Sequence, residues 1–229
     1  MFSKRMKMNK NLNAFFDRIY CINLDKRKDR WEKSSDLFNE YSIDVTRVSG
    51  IEDPTLPWDG LRRTIIGVFD TAIKEGLNRI LILEDDIDWT NDSISGFDPC
   101  KNSLPDDWDM FYFSAAHQFW PVKHNNHLFK LSWSTAAHAI GFNSKCFSFI
   151  RESLQDNKKA IDVTYSDLQK KLNAYCAIDP IAWQRRDYSD IEHQEKWYPY
   201  LKNLNFYEEY MYNKVTVDGR DTITGEQKF

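Results

Sequence analysis

The stretch that most constrains the fold is Asn78-Arg79-Ile80-Leu81-Ile82-Leu83-Glu84-Asp85-Asp86-Ile87-Asp88-Trp89. The unbroken apolar run from Ile80 to Leu83 asks for a strand buried on both faces. It ends in three adjacent carboxylates, Glu84, Asp85 and Asp86. Core packing does not call for acids there, and pressed together they repel, which a divalent cation relieves by coordination. A solvated acidic turn is the plainer reading of the stretch taken alone.

At 229 residues the chain can bury a sizeable core. With 41% hydrophobic and 29% charged residues it is not a disordered polymer, and a net charge of -4 does not favour nucleic acid as a partner. Aromatics reach 15%, which serves sugar or base stacking and ordinary core filling alike. The four cysteines, Cys21, Cys100, Cys146 and Cys176, form no C-x-x-C pair. That disfavours a zinc site or a dense disulfide framework and fits a reducing, cytoplasmic setting. Residues 1–16 read as a basic arm, with Lys4, Arg5, Lys7 and Lys10, which frays in solvent or makes peripheral contact with an anionic membrane surface. No run of about 18 apolar residues is present to span a membrane.

Taken in order, Arg18 to Leu24 reads as a first strand, and Asp25-Lys26-Arg27-Lys28-Asp29-Arg30 as a charged loop opening a helix. Ligands of such βα units gather beyond the carboxyl ends of the strands, where Asn23, Asp25, Arg27 and Arg30 fall. Arg27 and Arg30 are suited to phosphate oxygens, although charged turns of this kind are commonly just solvated. A second strand is expected over Ile43–Val48, an irregular loop over Gly50–Gly60, and a helix with Ile65, Phe69, Ala72 and Ile73 on one face, stopping near Gly76. A loop with Pro99 and Pro105 precedes a strand at Trp108–Phe113. His117, His124 and His127 lie in a further loop and lack metal-ligand spacing. Short strands are expected around 129–133 and 136–142, with Ser144 capping a helix to Leu154. A helix begins at Ile161, and a last strand is expected over Tyr175–Ile178. The polar, aromatic remainder passes through Ser189-Asp190-Ile191.

Arg79–Asp86 also resembles the start of a response-regulator receiver, but that fold needs a phosphoacceptor Asp at the end of a later strand, and residues 120–150 contain no Asp. The ordered set Ile22-Asn23-Leu24-Asp25 with Arg27 and Arg30, Ile82-Leu83-Glu84-Asp85-Asp86, Trp108-Asp109, Thr135 to Ile140, Ile161-Asp162-Val163 and Ser189-Asp190-Ile191 resembles glycosyltransferase family 25. That family comprises lipooligosaccharide galactosyltransferases and their collagen-modifying relatives. The matching pieces span about residues 17–195. The family's Gly-x-x-x-Ser-His ahead of the acidic strand is missing, and Gly67-Val68 is set against that pair.

The resemblance implies an α/β fold of GT-A type, a Rossmann-like mixed sheet flanked by helices in a single domain over 17–200, with 201–229 as a polar and aromatic extension packing on it. It implies inverting transfer of a hexose such as galactose or glucose from a UDP-sugar to a glycan, glycolipid or protein hydroxyl, as in lipopolysaccharide biosynthesis. A Mn²⁺ or Mg²⁺ ion would offset charge on the diphosphate leaving group. Asp86 is the expected metal ligand, Glu84 meets the ribose or a metal-bound water, Asp85 supports the turn, and His193 completes the metal shell. Asn23, Leu24, Asp25, Arg27 and Arg30 would meet the nucleotide. Asp162 is the expected base, with Asp167 second, against the reading of Asp162 as a helix N-cap. Ser189 and Asp190 would form a donor-covering or acceptor loop, or a plain turn. The alternative function is a non-catalytic glycan- or nucleotide-binding module that kept the fold. Oligomeric state is left open.

Overall fold

The computed structural model describes residues 11–90 and 93–202. The greater part of the basic arm and of the expected extension, 1–10 and 203–229, lies outside the described residues. The end of the arm does not fray: residues 11–15 are helical, and Leu12 and Phe16 are fully buried.

The elements in chain order are β1 (Arg18–Asn23), α1 (Lys28–Glu40), β2 (Val45–Ser49), α2 (Pro57–Lys74), β3 (Arg79–Glu84), β4 (Ile87–Trp89) and α3 (Ser93–Ser103). There follow β5 (Met110–Tyr112), β6 (Ala116–His117), β7 (Val122–Lys123), β8 (Leu128–Lys130), β9 (Ser134–Thr135), β10 (Ala139–Asn143), α4 (Ser144–Asp156) and α5 (Ile161–Leu168). The described chain closes with β11 (Ala174–Ala177), β12 (Ala182–Gln184), β13 (Asp187–Ser189), β14 (Gln194–Lys196) and a 3-10 turn at Pro199–Leu201.

An eight-stranded mixed sheet runs β2-β1-β3-β10-β5-β11-β8-β7. β1 is parallel to both β2 and β3, whereas β10 runs antiparallel between β3 and β5. The sheet is the middle of three layers. Ile80 and Ile82 of β3 enter a core with Phe69 of α2, Phe147 of α4 and Tyr165 of α5, while Leu81 and Leu83 enter one with Phe38 of α1 and Phe97 of α3. Alternation of side chains on a strand buried on both faces explains why a run with no polar break was needed.

The order β2-β1-β3 places the switch of chain direction at β1 and β3. β1 leads through α1 to β2 on one side, and β2 leads back through α2 to β3 on the other. Register puts Ile22 beside Glu84 and Asn23 beside Ser49, so the strand ends open onto one edge. In open α/β sheets that edge, at that point, is where ligands bind.

Several expectations are corrected. The loop with Pro99 contains the helix α3, because burial of Phe97 and Cys100 outweighs the hydrogen bond a proline cannot donate. Asn143, not Ser144, caps α4, its side chain accepting from the Lys145 N–H at 3.3 Å. β11 is not last; β12, β13 and β14 follow it in two separate small sheets. Ile73 is exposed, off the buried face of α2. The irregular loop after β2 is shorter than expected, because α2 starts at Pro57, whose fixed φ suits a first helical turn. At its other end Gly76 takes a φ of 65°, and the Leu77 N–H reaches back to the Ala72 carbonyl at 3.0 Å.

The start of α2 also fixes the loop above it. A methyl group on Gly60 would lie 2.2 Å from the Ile51 carbonyl oxygen, and the Thr64 hydroxyl accepts from the Ile51 N–H at 2.8 Å. Gly67, on the exposed side of the same helix, has nothing within 4 Å of that position. Gly60→Ala is therefore expected to destabilise the fold by about 1–3 kcal/mol, and Gly67→Ala to stabilise it by up to about 1 kcal/mol. Urea unfolding of both variants against the parent checks the pair of signs.

Candidate functional site

A cleft of about 490 Å³ lies at the carboxyl ends of β1 and β3. It is walled by the loops after β1 and β2, the acidic end of β3, the start of α5 and the segment from β12 through the 3-10 turn. Its lining holds nine acidic residues against five Lys or Arg.

The three acids at the end of β3 divide. Asp85 turns inward: its Oδ2 accepts from Asn23 Nδ2 at 2.6 Å and its Oδ1 from Arg30 at 2.9 Å. Its carbonyl takes the Ser34 hydroxyl at 2.6 Å and Arg185 at 2.9 Å. Glu84 lines the cleft, where Gln184 Nε2 donates to its Oε2 at 2.9 Å. Asp86 lines it as well; its Oδ2 lies 3.4 Å from Arg30, and its Oδ1 is buried without a hydrogen-bond partner among the described residues.

Burial dominates the electrostatics of this corner. It pushes the Glu84 carboxyl well above the usual carboxylate range, with the nearby charges of Asp86, Asp85 and Asp162 adding to the effect. Burial also raises Asp86 to about 6, opposed first by Arg30. Asp162 is raised by burial too, against hydrogen bonds from backbone N–H groups, Val163 among them at 2.8 Å.

Asp162 sits in the first turn of α5 and lines the cleft; Ala160, not Asp162, holds the N-cap position. Asp167 does not line it and is salt-bridged to Lys159 at 2.7 Å on the outside of the helix. Leu24, Arg27, Arg30, Ser189, Asp190 and His193 all line the cleft. Asn23 lies beneath it, fully buried between Asp85 and Arg47, and Asp25 points away, bonded to Arg47 and Ser49. Arg27 and Arg30 are not free for a ligand. Arg27 meets Asp190 at 2.5 Å and Asp187 at 3.4 Å; Arg30 meets Asp187 at 3.2 Å and the Tyr188 carbonyl at 2.8 Å.

Glu84, Asp86 and His193 share the cleft, but among the described residues no three His, Cys, Asp or Glu side chains converge to hold a metal ion. A metal seated there would have Asp86 and Glu84 as its protein ligands, and the orphaned Asp86 Oδ1 is the atom that fits one. The family's Ser-His spacing, counted from Gly60, falls on Thr64-Ile65 rather than on Gly67-Val68. Both are buried, and Thr64 ties the β2–α2 loop down rather than facing the cleft.

Gln184, Arg185 and Asp187 are functional candidates that sequence reading passed over. They lie in a stretch read as polar tail: Gln184 and Arg185 are 100 residues from Glu84 and Asp85, which they meet, and Asp187 is 157 from Arg30. The short alternation around Ala182-Trp183-Gln184 is the only local sign of β12.

No family model matches the chain, and no curated protein matches it. Among solved structures, it is similar to a glycosyltransferase involved in the glycosylation of the major capsid of PBCV-1, at 10% identity and a TM-score of 0.42 over 62% of this chain and 67% of that one. It is also similar to A197 from STIV, at 12% identity and a TM-score of 0.45 over 81% of this chain and 93% of that one. Both likenesses are distant and neither bears on membership of glycosyltransferase family 25, so the chemistry of the cleft has to be argued from its own residues. No helix among the described residues is long and apolar enough to cross a membrane.

Two outcomes follow from the buried charges. Arg30→Met leaves Asp85 charged and buried with Asn23 as its remaining side-chain partner, and is expected to lower stability by about 3–5 kcal/mol, read from the urea midpoint. Asp86 acts in the opposite sense. Its folded pKa is raised above the unfolded value of about 3.9, so its contribution is present below that pH and is lost as the pH rises through about 6. Asp86→Asn carries no such loss, and in EDTA is expected to exceed the parent by about 2 kcal/mol at pH 8, with the gap closing toward pH 4.

Proposed function

We propose that the chain is a metal-dependent glycosyltransferase that moves a hexose from a UDP-sugar to a hydroxyl of a glycan, glycolipid or protein acceptor, with inversion. The observation that carries the reading is the meeting of Glu84, Asp86 and Asp162 in one cleft at the strand switch point, with Asp86 Oδ1 buried and without a hydrogen-bond partner among the described residues.

In this reading Asp86 and Glu84 hold the metal, and a bound Mn²⁺ or Mg²⁺ supplies Lewis-acid stabilisation of the departing diphosphate. The remaining steps belong to side chains. Asp162 takes the proton of the acceptor hydroxyl as that oxygen attacks the anomeric carbon. Burial suits it to this, because a carboxylate with a raised pKa is a stronger base nearer neutral pH. The first turn of α5 fixes the carboxylate, since the Val163 N–H holds Oδ1. Gln184 orients Glu84, and Arg30, at 3.4 Å from Asp86 Oδ2, restrains the second acid through that oxygen rather than through Oδ1. Leu24 and Pro57 with Trp58 offer apolar walls suited to a base and ribose.

Calorimetric titration of UDP tests the reading. Binding is expected with Mn²⁺, and to weaken at least about tenfold in EDTA or in Asp86→Ala. Equal affinity under all three conditions overturns the metal bridge. Release of UDP from a panel of UDP-hexoses then reports turnover, and Asp162→Asn is expected to cut it by about 10²–10⁴ while UDP affinity holds. Metal-dependent binding with no turnover for any donor and acceptor instead identifies the non-catalytic binding module, a reading favoured by the hold of Asp187 and Asp190 on the two arginines.

A further inference from the structure

The hairpin β13–β14, like β12–β4 and β6–β9, stands outside the main sheet. It is a two-stranded sheet of its own, pairing Asp187 with Lys196 and Ser189 with Gln194, and its strands bond to no other. Isolated hairpins of this length are marginal in water and need an apolar face packed on something. Here Tyr188 and Ile191 are 45% and 40% exposed, and Trp197 just beyond is 59% exposed. The side chains that are shielded are charged: Asp187 and Asp190 retain 20% and 19% exposure, against 15% for Arg27 and 10% for Arg30. Charge, not apolar burial, holds this segment down.

Its two ends, by contrast, are anchored. Arg185 donates to the Ile87 and Asp85 carbonyls at 2.7 and 2.9 Å, and Leu201 is 1% exposed. Between those anchors the segment is held by ion pairs, to which Lys26 adds one with Asp190 at 3.5 Å. The chemistry of the hold is also specific. Two carboxylates and the Tyr188 carbonyl present a cluster of oxygens to two guanidinium forks, at 2.5, 3.2, 3.4 and 2.8 Å. Guanidinium forks of this kind suit the oxygens of a diphosphate equally well.

We propose that Asp187 and Asp190 are an internal stand-in for a diphosphate: they occupy Arg27 and Arg30 in the ligand-free chain, and a nucleoside diphosphate binds by displacing the hairpin from them. The inference rests on the reading of this cleft as a nucleotide-sugar site and adds to it a competition that sets donor affinity. It also accounts for a site whose two arginines are masked by the chain's own acids.

The test uses inorganic diphosphate in EDTA, so that it does not share its outcome with the metal dependence of UDP binding. The double variant Asp187→Asn/Asp190→Asn is expected to bind diphosphate at least about tenfold more tightly than the parent, and adding Arg27→Gln is expected to remove the gain. A folded double variant that binds no tighter, or whose gain survives Arg27→Gln, overturns the proposal. A second arm uses the unaltered chain: amide hydrogen exchange over 187–196 is expected to accelerate at saturating diphosphate, and exchange that is unchanged or slowed overturns it. If the hairpin behaves as proposed but UDP binding ignores Mn²⁺, the competition stands and the metal reading falls; the converse result separates them the other way.

Discussion

The guanidinium of Arg30 is the interaction on which the cleft depends. It is 10% exposed and reaches Asp85, Asp86 and Asp187 together with the Tyr188 carbonyl. It thereby ties the start of α1, the turn after β3 and the segment after β12 into one corner. A lone buried cation would be untenable there, as would the acids without it, since desolvation of either sign exceeds what scattered dipoles return. The planar fork matters as much as the charge, because three carboxylates are met from different sides of one rigid group. A lysine could neutralise the corner but not define it.

That arrangement leaves an imbalance rather than removing it. Arg30 and Asn23 satisfy Asp85 fully, yet Glu84 and Asp86 stay close, buried and raised in pKa. Stability alone does not call for such a pair, and strongly perturbed carboxyls in a cleft are a mark of functional sites. The same corner therefore contains one acid that holds the fold together and two whose proximity works against it. The proposed cation would reverse the sign of that second contribution.

The sequence made the centre of this design legible and the rim illegible, for physical reasons. Burial on both faces of β3 demanded an unbroken apolar run, and an acidic end to such a run has few structural uses, so Ile80–Asp86 could be placed without coordinates. The loop after β1 and the start of α5 followed from ordinary helix and strand periodicity, which put Arg27 and Arg30 on the same edge as the acids, whereas Asp162 was set opposite them only by the family resemblance. What pattern could not supply was the return of the chain after β11. Strands of three residues carry little periodicity, and Gln184 and Asp187 meet Glu84 and Arg30 only through contacts some 100 and 157 residues long. Local signals also misled at Pro99, where packing of Phe97 and Cys100 decided for helix.

The division among the three acids shows how far a strand's geometry can carry a functional argument. Glu84 is the last residue of β3, and Asp85 and Asp86 form the turn between β3 and β4, so bonding partners rather than strand alternation decide where each carboxylate goes. Asp85 is held by Asn23, Ser34 and Arg30 of the β1–α1 unit. Asp85, though it too borders the cleft, is thus committed to structure by its bonds, while Glu84 and Asp86 keep fewer partners there. The register of β3 on β1, with Ile80 and Ile82 in one core and Leu81 and Leu83 in the other, sets where the strand ends and so where the acidic turn meets the cleft.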